Sequence, residues 1–135
     1  MIAAGVGCRG GCTRQDIAAA LELALTRAGR TLPEVSALYA PDFKSGERGL
    51  AELAAALAIP LVLLPNAALQ AQSAAVLTRS ARVERSFGVP SIAETAALAG
   101  AARSGGAARL LGPRVVFGAA TCALADLAAR EGGST

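Results

Sequence analysis

The chain has 135 residues, a formal charge of +3, 53% apolar residues and only 3% aromatics. That length predicts one domain with a core of its own, while the near absence of aromatic stacking surfaces and the scattered basic residues argue against a nucleic-acid binder. The absence of histidine excludes Ser-His and Cys-His catalysis within this chain and removes the commonest metal ligand.

Met1 to Gly7 is an apolar run that predicts a buried strand. It leads into Gly5-Val6-Gly7-Cys8-Arg9-Gly10-Gly11-Cys12-Thr13, the most informative stretch of the chain. Four glycines in seven residues leave little bulk, so backbone N–H groups can come close to a ligand. Thr13 is placed to cap the next helix, with Asp16 at capping-box spacing, and the free N–H groups of a helix start attract anions. Arg9 adds a fixed charge, so the stretch predicts a carboxylate or phosphate site at the end of the first strand. The helix runs to Ala28, with Ile17, Leu21, Ala24, Leu25 and Ala28 on one stripe and Gly29 as its stop. After a turn at Pro33 and Glu34, Val35 to Ala40 reads as a second strand. A loop, Pro41 to Ser45, precedes a helix from about Gly46 to Ala58 with Leu50, Leu53, Ala54 and Leu57 on one face. Leu61 to Leu64 is apolar throughout, which predicts a central strand.

Asn66 is placed to cap a short helix over 67–72. Residues 73–88 read as an exposed connection with some helix, in which Arg79, Arg82 and Arg85 recur at spacing three. Ser91-Ile92-Ala93-Glu94 is a capping box opening a helix that reaches about Arg103. Arg109 to Phe117 and Ala120 to Leu127 read as two strands joined near Gly118. The expected ordered core spans about residues 1–128, with a polar tail over 129–135. Strand, helix, strand, helix, strand implies parallel crossovers. The fold class is therefore α/β: a single compact domain over 1–135, with a mostly parallel central sheet flanked by helices and a C-terminal β-hairpin that makes it mixed.

Lys44 is the only lysine beside twelve arginines and sits just past the second strand, where open parallel sheets place ligand groups. Glu47 follows three residues later. Both read either as site residues or as an exposed pair. The glycine stretch lacks an acidic partner on the next strand and a following Gly-Lys-Ser/Thr, which disfavours the common nucleotide sites. Three cysteines cannot all pair. In a chain whose start has no basic region before an apolar run, they predict a reduced, cytoplasmic protein. The longest apolar stretch, Ala51 to Pro65, is broken by Glu52 and Pro60, so no membrane span is expected. Cys8, Cys12 and Cys122 read as small thiols in preference to a metal set; no metal or cofactor is expected. Ser91 and Glu94 are explained as helix caps, and in the functional reading Glu94 moves a proton at a ligand-facing helix start. Thr121 points either to the core or to a cleft.

The order GVGCRGG, then a strand and Lys44 with Glu47 three residues on, then GVPSIAETAAL, then TCALA resembles the cobalamin-biosynthesis family of CobE and the C-terminal domain of CbiG. The resemblance runs from Ala3 to about Leu127. It implies a compact α/β domain that acts on a precorrin or corrinoid intermediate and works beside other cobalamin-pathway enzymes. Two-domain members open the lactone of a ring-contracted cobalt-precorrin and release acetaldehyde. Gly5, Gly7, Cys8, Arg9, Lys44, Glu47, Ser91, Glu94 and Thr121 fall at motif positions, and Gly10 and Thr13 complete the expected substrate-binding set. Lys44 and Glu94 are the expected catalytic pair. Where the family often carries Arg-Arg-Gly, this chain has Arg9-Gly10-Gly11. The alternatives are a non-catalytic carrier of a corrinoid and a general anion- or nucleotide-binding α/β module.

Overall fold

Every residue from Ile2 to Cys8 is apolar or glycine and every one is buried, because this strand is covered on both faces. The computed structural model describes residues 1–44 and 47–127, Lys44 by its backbone only. In chain order its elements are β1 (Ile2–Cys8), α1 (Arg14–Ala28), β2 (Val35–Pro41), α2 (Arg48–Leu57), β3 (Leu61–Leu64), α3 (Asn66–Gln70), α4 (Ala81–Phe87), α5 (Ile92–Ala102), β4 (Ala108–Leu110), β5 (Val115–Phe117) and β6 (Ala120–Leu127). Short 3-10 turns lie at Leu32–Glu34, Asp42–Lys44 and Ser73–Ala75.

The sheet runs β3-β2-β1-β6-β4, with β5 also paired to β6. β1, β2 and β3 are parallel, and β6 is antiparallel to β1, β4 and β5. This is the expected mixed α/β domain. The period-two alternation of a strand sorts the core into two layers. Ile2, Ala4, Val6 and Cys8 pack with Ile17, Leu21 and Leu25 of α1 and Leu50 and Leu53 of α2. Ala3, on the other face, packs with Ala37, Tyr39, Ala123 and the alanines of α5. α5 is buried at every residue from Ala93 to Ala101. It lies so close on β1 that a Cβ at Gly5 would strike Ala93 O and the Ala97 backbone N. Small residues on both partners thus replace the missing aromatics with close contact.

Several expectations change. β3 is an edge strand, not a central one. Its apolar residues reflect two covered faces: Leu61 and Leu63 pack against one layer and Val62 against the other. The run Arg109 to Phe117 is two strands, broken at Gly112 and Pro113, and the hairpin is β5–β6 with Gly118 in left-handed backbone (φ 58°). Asn66 does not cap α3. Pro65 stands at that position, and Asn66 Nδ2 donates to Phe87 O at 3.0 Å, tying α3 to the end of α4. Among the described residues no helix is long and apolar enough to cross a membrane. The expected polar tail lies outside the described residues.

Candidate functional site

β1 ends at the middle of the sheet, and the chain leaves it through Arg9 and Gly10. Arg9 N donates to Ala119 O at 2.9 Å, and Arg9 Nη2 lies 3.4 Å from Gly118 O, so this exit is fixed against the β5–β6 turn. Asp16 reinforces the arrangement. Thr13 Oγ1 accepts the Asp16 N–H at 3.1 Å, but the Asp16 carboxylate turns away from the cap and accepts the Ala119 N–H at 3.5 Å.

Above this end of the sheet lies an open cavity of about 540 Å³, within the range of small-molecule sites. Gly7, Cys8, Arg9 and Gly10 form its floor and one side. Val116, Ala119 and Thr121 of the hairpin form another. Thr121 Oγ1 donates to Gly7 O at 3.3 Å, so this side chain faces the cleft; a Cβ on Gly7 would collide with it. The remaining wall comes from Ile92, from Arg114, from Phe43 in the turn after β2, and from Ser80, Arg82, Val83, Ser86 and Phe87 on and before α4. Phe43 and Phe87 stack with centroids 4.9 Å apart and planes 7° from parallel. Both are exposed, at 44% and 38%. Two of the three phenylalanines in the chain therefore serve the rim of a cleft and not the core.

α4 is held over the cleft by local bonds. Ser80 Oγ caps it by accepting Val83 N–H at 3.3 Å, and Ser80 N donates to Pro90 O at 2.8 Å. The three arginines read from spacing part company here. Arg79 pairs with Glu84 at 3.0 Å, Arg82 lines the cavity, and Arg85 does not.

Of the expected substrate-binding residues, Gly7, Cys8, Arg9, Gly10 and Thr121 come together in this wall, whereas Gly5, Thr13, Glu47, Ser91 and Glu94 lie outside it. Gly5 serves helix packing. Thr13 and Ser91 cap α1 and α5, Ser91 Oγ accepting Glu94 N–H at 3.4 Å. Glu94 is a correction. It is fully buried, and its carboxylate accepts three backbone N–H groups: Leu77 and Thr78 on Oε1 and Arg114 on Oε2, each at 2.8 Å. So engaged, it is not a free base facing a ligand. The Lys44 side chain lies outside the described residues; its backbone closes the 3-10 turn that carries Phe43. Arg114, Ser80, Ser86, Phe43 and Phe87 were missed. No local pattern marks them, because each reaches the cavity from a different part of the chain.

The cysteines also depart from expectation. Cys8 and Cys12 form a disulfide at the mouth of the glycine loop, so they are not reduced thiols. Cys8 Sγ lies 3.9 Å from Glu47 Oε1; having no proton to donate, it makes a packing contact there. Cys122 is fully buried in the core, and burial pushes its thiol up to about 12. These three sulfurs do not converge on a metal position, and no group of three metal-ligating side chains occurs among the described residues.

Residues 2–125 match the family model described as cobalamin synthesis G C-terminus. The chain belongs to this family. It is a cobalamin-biosynthesis protein of the CobE and CbiG C-terminal type. It is similar to the crystal structure of CobE, a protein from the cobalamin (vitamin B12) biosynthetic pathway. The identity is 41% over 97% of this chain and 93% of that one, with a TM-score of 0.91. It is also similar to the cobalamin biosynthesis protein ChiG from Agrobacterium tumefaciens str. C58, at 34% identity over 96% of this chain and all of that one (100%), with a TM-score of 0.72. A cobalamin biosynthesis protein G homolog from Sulfolobus solfataricus shares the fold (TM-score 0.68) at 14% identity; this chain spans 36% of its length. No curated protein matches the chain. The cavity described above is thus built within a cobalamin synthesis G C-terminal domain.

Proposed function

We propose that this domain holds a corrin-ring intermediate, a precorrin or corrinoid, in the cavity at the end of β1 and passes it among enzymes of the cobalamin pathway. One observation carries the reading: the described wall contains Arg9, Arg82 and Arg114, no acidic side chain, and the stacked Phe43–Phe87 pair. A corrin intermediate is a broad, largely apolar ring fringed with acetate and propionate arms. The phenylalanines and Val83, Ile92 and Val116 suit the ring, and the guanidinium groups suit the arms. A cavity of about 540 Å³ takes one sector of such a ring and leaves the rest at the open mouth.

The geometry favours holding over hydrolysis. Opening a lactone needs a base within reach of a water. The described wall offers the hydroxyls of Ser80, Ser86 and Thr121 and three guanidinium groups, none of them a base near neutral pH. Glu94 is committed to three backbone donors. The second reading, in which the domain assists lactone opening, rests on Glu47, whose carboxylate sits beside the wall at Cys8 Sγ, 3.9 Å away, with Lys44 as its proposed cationic partner.

Titrating a purified precorrin lactone into the protein tests both. The expected outcome is a saturable shift of the ligand's absorption band with no acetaldehyde formed. Acetaldehyde release at a rate that falls in Glu47→Gln supports the second reading, and an unshifted band at every concentration rejects the proposal.

A further inference from the structure

We infer that the cavity selects macrocycles whose arms are free carboxylates over those whose arms have been amidated, and that Arg82 and Arg114 make the selection. The inference rests on the corrin reading above and names the charge state of its ligand.

Three arginines outside the cavity wall are already satisfied. Arg30, Arg79 and Arg109 each have a carboxylate within 3.0 Å: Glu34 at 2.7 Å, Glu84 at 3.0 Å and Asp126 at 2.9 Å. Among the described residues Arg9, Arg82 and Arg114 line the cavity without an ion-pair partner; Arg9 turns its Nη2 to Gly118 O at 3.4 Å, which leaves Arg82 and Arg114 to meet a ligand with both prongs. The acid beside Arg82 on α4, Glu84, is taken by Arg79. A guanidinium only donates, in a planar fork. A carboxylate accepts both prongs and neutralises the charge. A primary amide offers one oxygen and turns its own NH₂ donors toward the fork, leaving donors opposed. Charge-assisted pairs are roughly twice as strong as neutral ones, so each amidated arm at these residues is expected to weaken binding about tenfold.

The two arginines are also held in a fixed relation. Glu94 accepts the backbone N–H of Arg114 with one oxygen and those of Leu77 and Thr78 with the other. The second pair leads directly into Ser80 and α4, which carries Arg82. One buried carboxylate thus anchors both arginine-bearing segments by their backbones, and truncating either arginine side chain leaves that anchor in place.

The test compares dicyanocobyrinic acid, with every arm a carboxylate, against dicyanocobyric acid, with all but one arm a primary amide, by isothermal titration of the full chain. The expected result is affinity for the free acid at least about tenfold higher, a gap that narrows as salt is raised. Arg82→Ala and Arg114→Ala should each weaken the acid about tenfold and leave the amide unchanged, with thermal unfolding as in the parent. Equal affinities for the two ligands, or variants that weaken both ligands alike, overturn the selection while leaving the corrin reading standing. Binding of neither ligand overturns the corrin reading and the selection with it. Should Arg114→Ala fail to fold, Arg82→Ala, an exposed substitution, decides the matter alone.

Discussion

Gly5 shows how one missing methyl group sets the spacing of a whole layer. The atoms that a side chain there would meet are Ala93 O, in the first turn of the buried helix α5, and the Ala97 backbone N, one turn further on. Backbone cannot turn aside as a flexible side chain can, so α5 would have to lift off β1. Gly5→Ala is therefore expected to cost about 3 kcal/mol. Gly10, in the same glycine stretch, has open space where its Cβ would go, and Gly10→Ala should stay within about 0.5 kcal/mol of the parent. Urea unfolding of the two variants measures the difference. Equal midpoints would show that α5 relaxes freely over β1. The comparison separates two uses of glycine that composition merges: one glycine admits a helix, the other borders the cavity.

At the scale of elements, the local devices were legible and the distant ones were not. Ser91-Ile92-Ala93-Glu94 announced a helix start because a cap needs only residues three apart. It could not reveal that the Glu94 carboxylate reaches Leu77, Thr78 and Arg114, which are 17, 16 and 20 residues away and meet it only after folding. The glycine loop likewise declared one side of the cavity, whereas Arg82, Arg114 and the Phe43–Phe87 stack depend on how α4, the 3-10 turn after β2 and the C-terminal hairpin converge. In the turn joining α1 to β2, the bonds to Glu34 are all local and yield a pH prediction. Glu34 accepts from Thr31 N at 2.7 Å and from Arg30 Nε at 2.7 Å. The Thr31 backbone donor, then Arg30, hold its carboxyl at about 2, below the ordinary 4.5. A carboxylate that is harder to protonate when folded stabilises the fold above 4.5 and loses that contribution as pH falls toward 2. The urea midpoint of the parent should therefore drop more steeply than that of Glu34→Gln between pH 5 and 2. Parallel curves for the two proteins would show that the turn adds nothing to folding.

At the scale of the molecule, the last strand of the chain is the one the sheet is built around. β6 pairs with β1, β4 and β5, and it lies between β1 and β4 in the strand order. Its inward residues Cys122 and Leu124 close one core layer, and Ala123 and Ala125 close the other. This explains why β3, apolar as it is, sits at an edge: the place beside β1 that a purely parallel sheet would give to a further crossover is taken by a strand returning from the C-terminal side. The same strand carries Thr121 into the cavity wall beside Gly7. Core closure and site formation therefore depend on one pairing between residues more than a hundred positions apart, Gly7 with Thr121, and such distant pairings form late because loop closure is costly. A chain ending at Gly118 keeps β1 to β3 and every helix but leaves β1 with an open edge and both layers uncovered along it. It is expected to show helical circular dichroism without a cooperative thermal transition, and to bind no corrin ligand. A sharp transition in that truncated chain would mean that the parallel half folds alone and that β6 is an addition to a finished sheet.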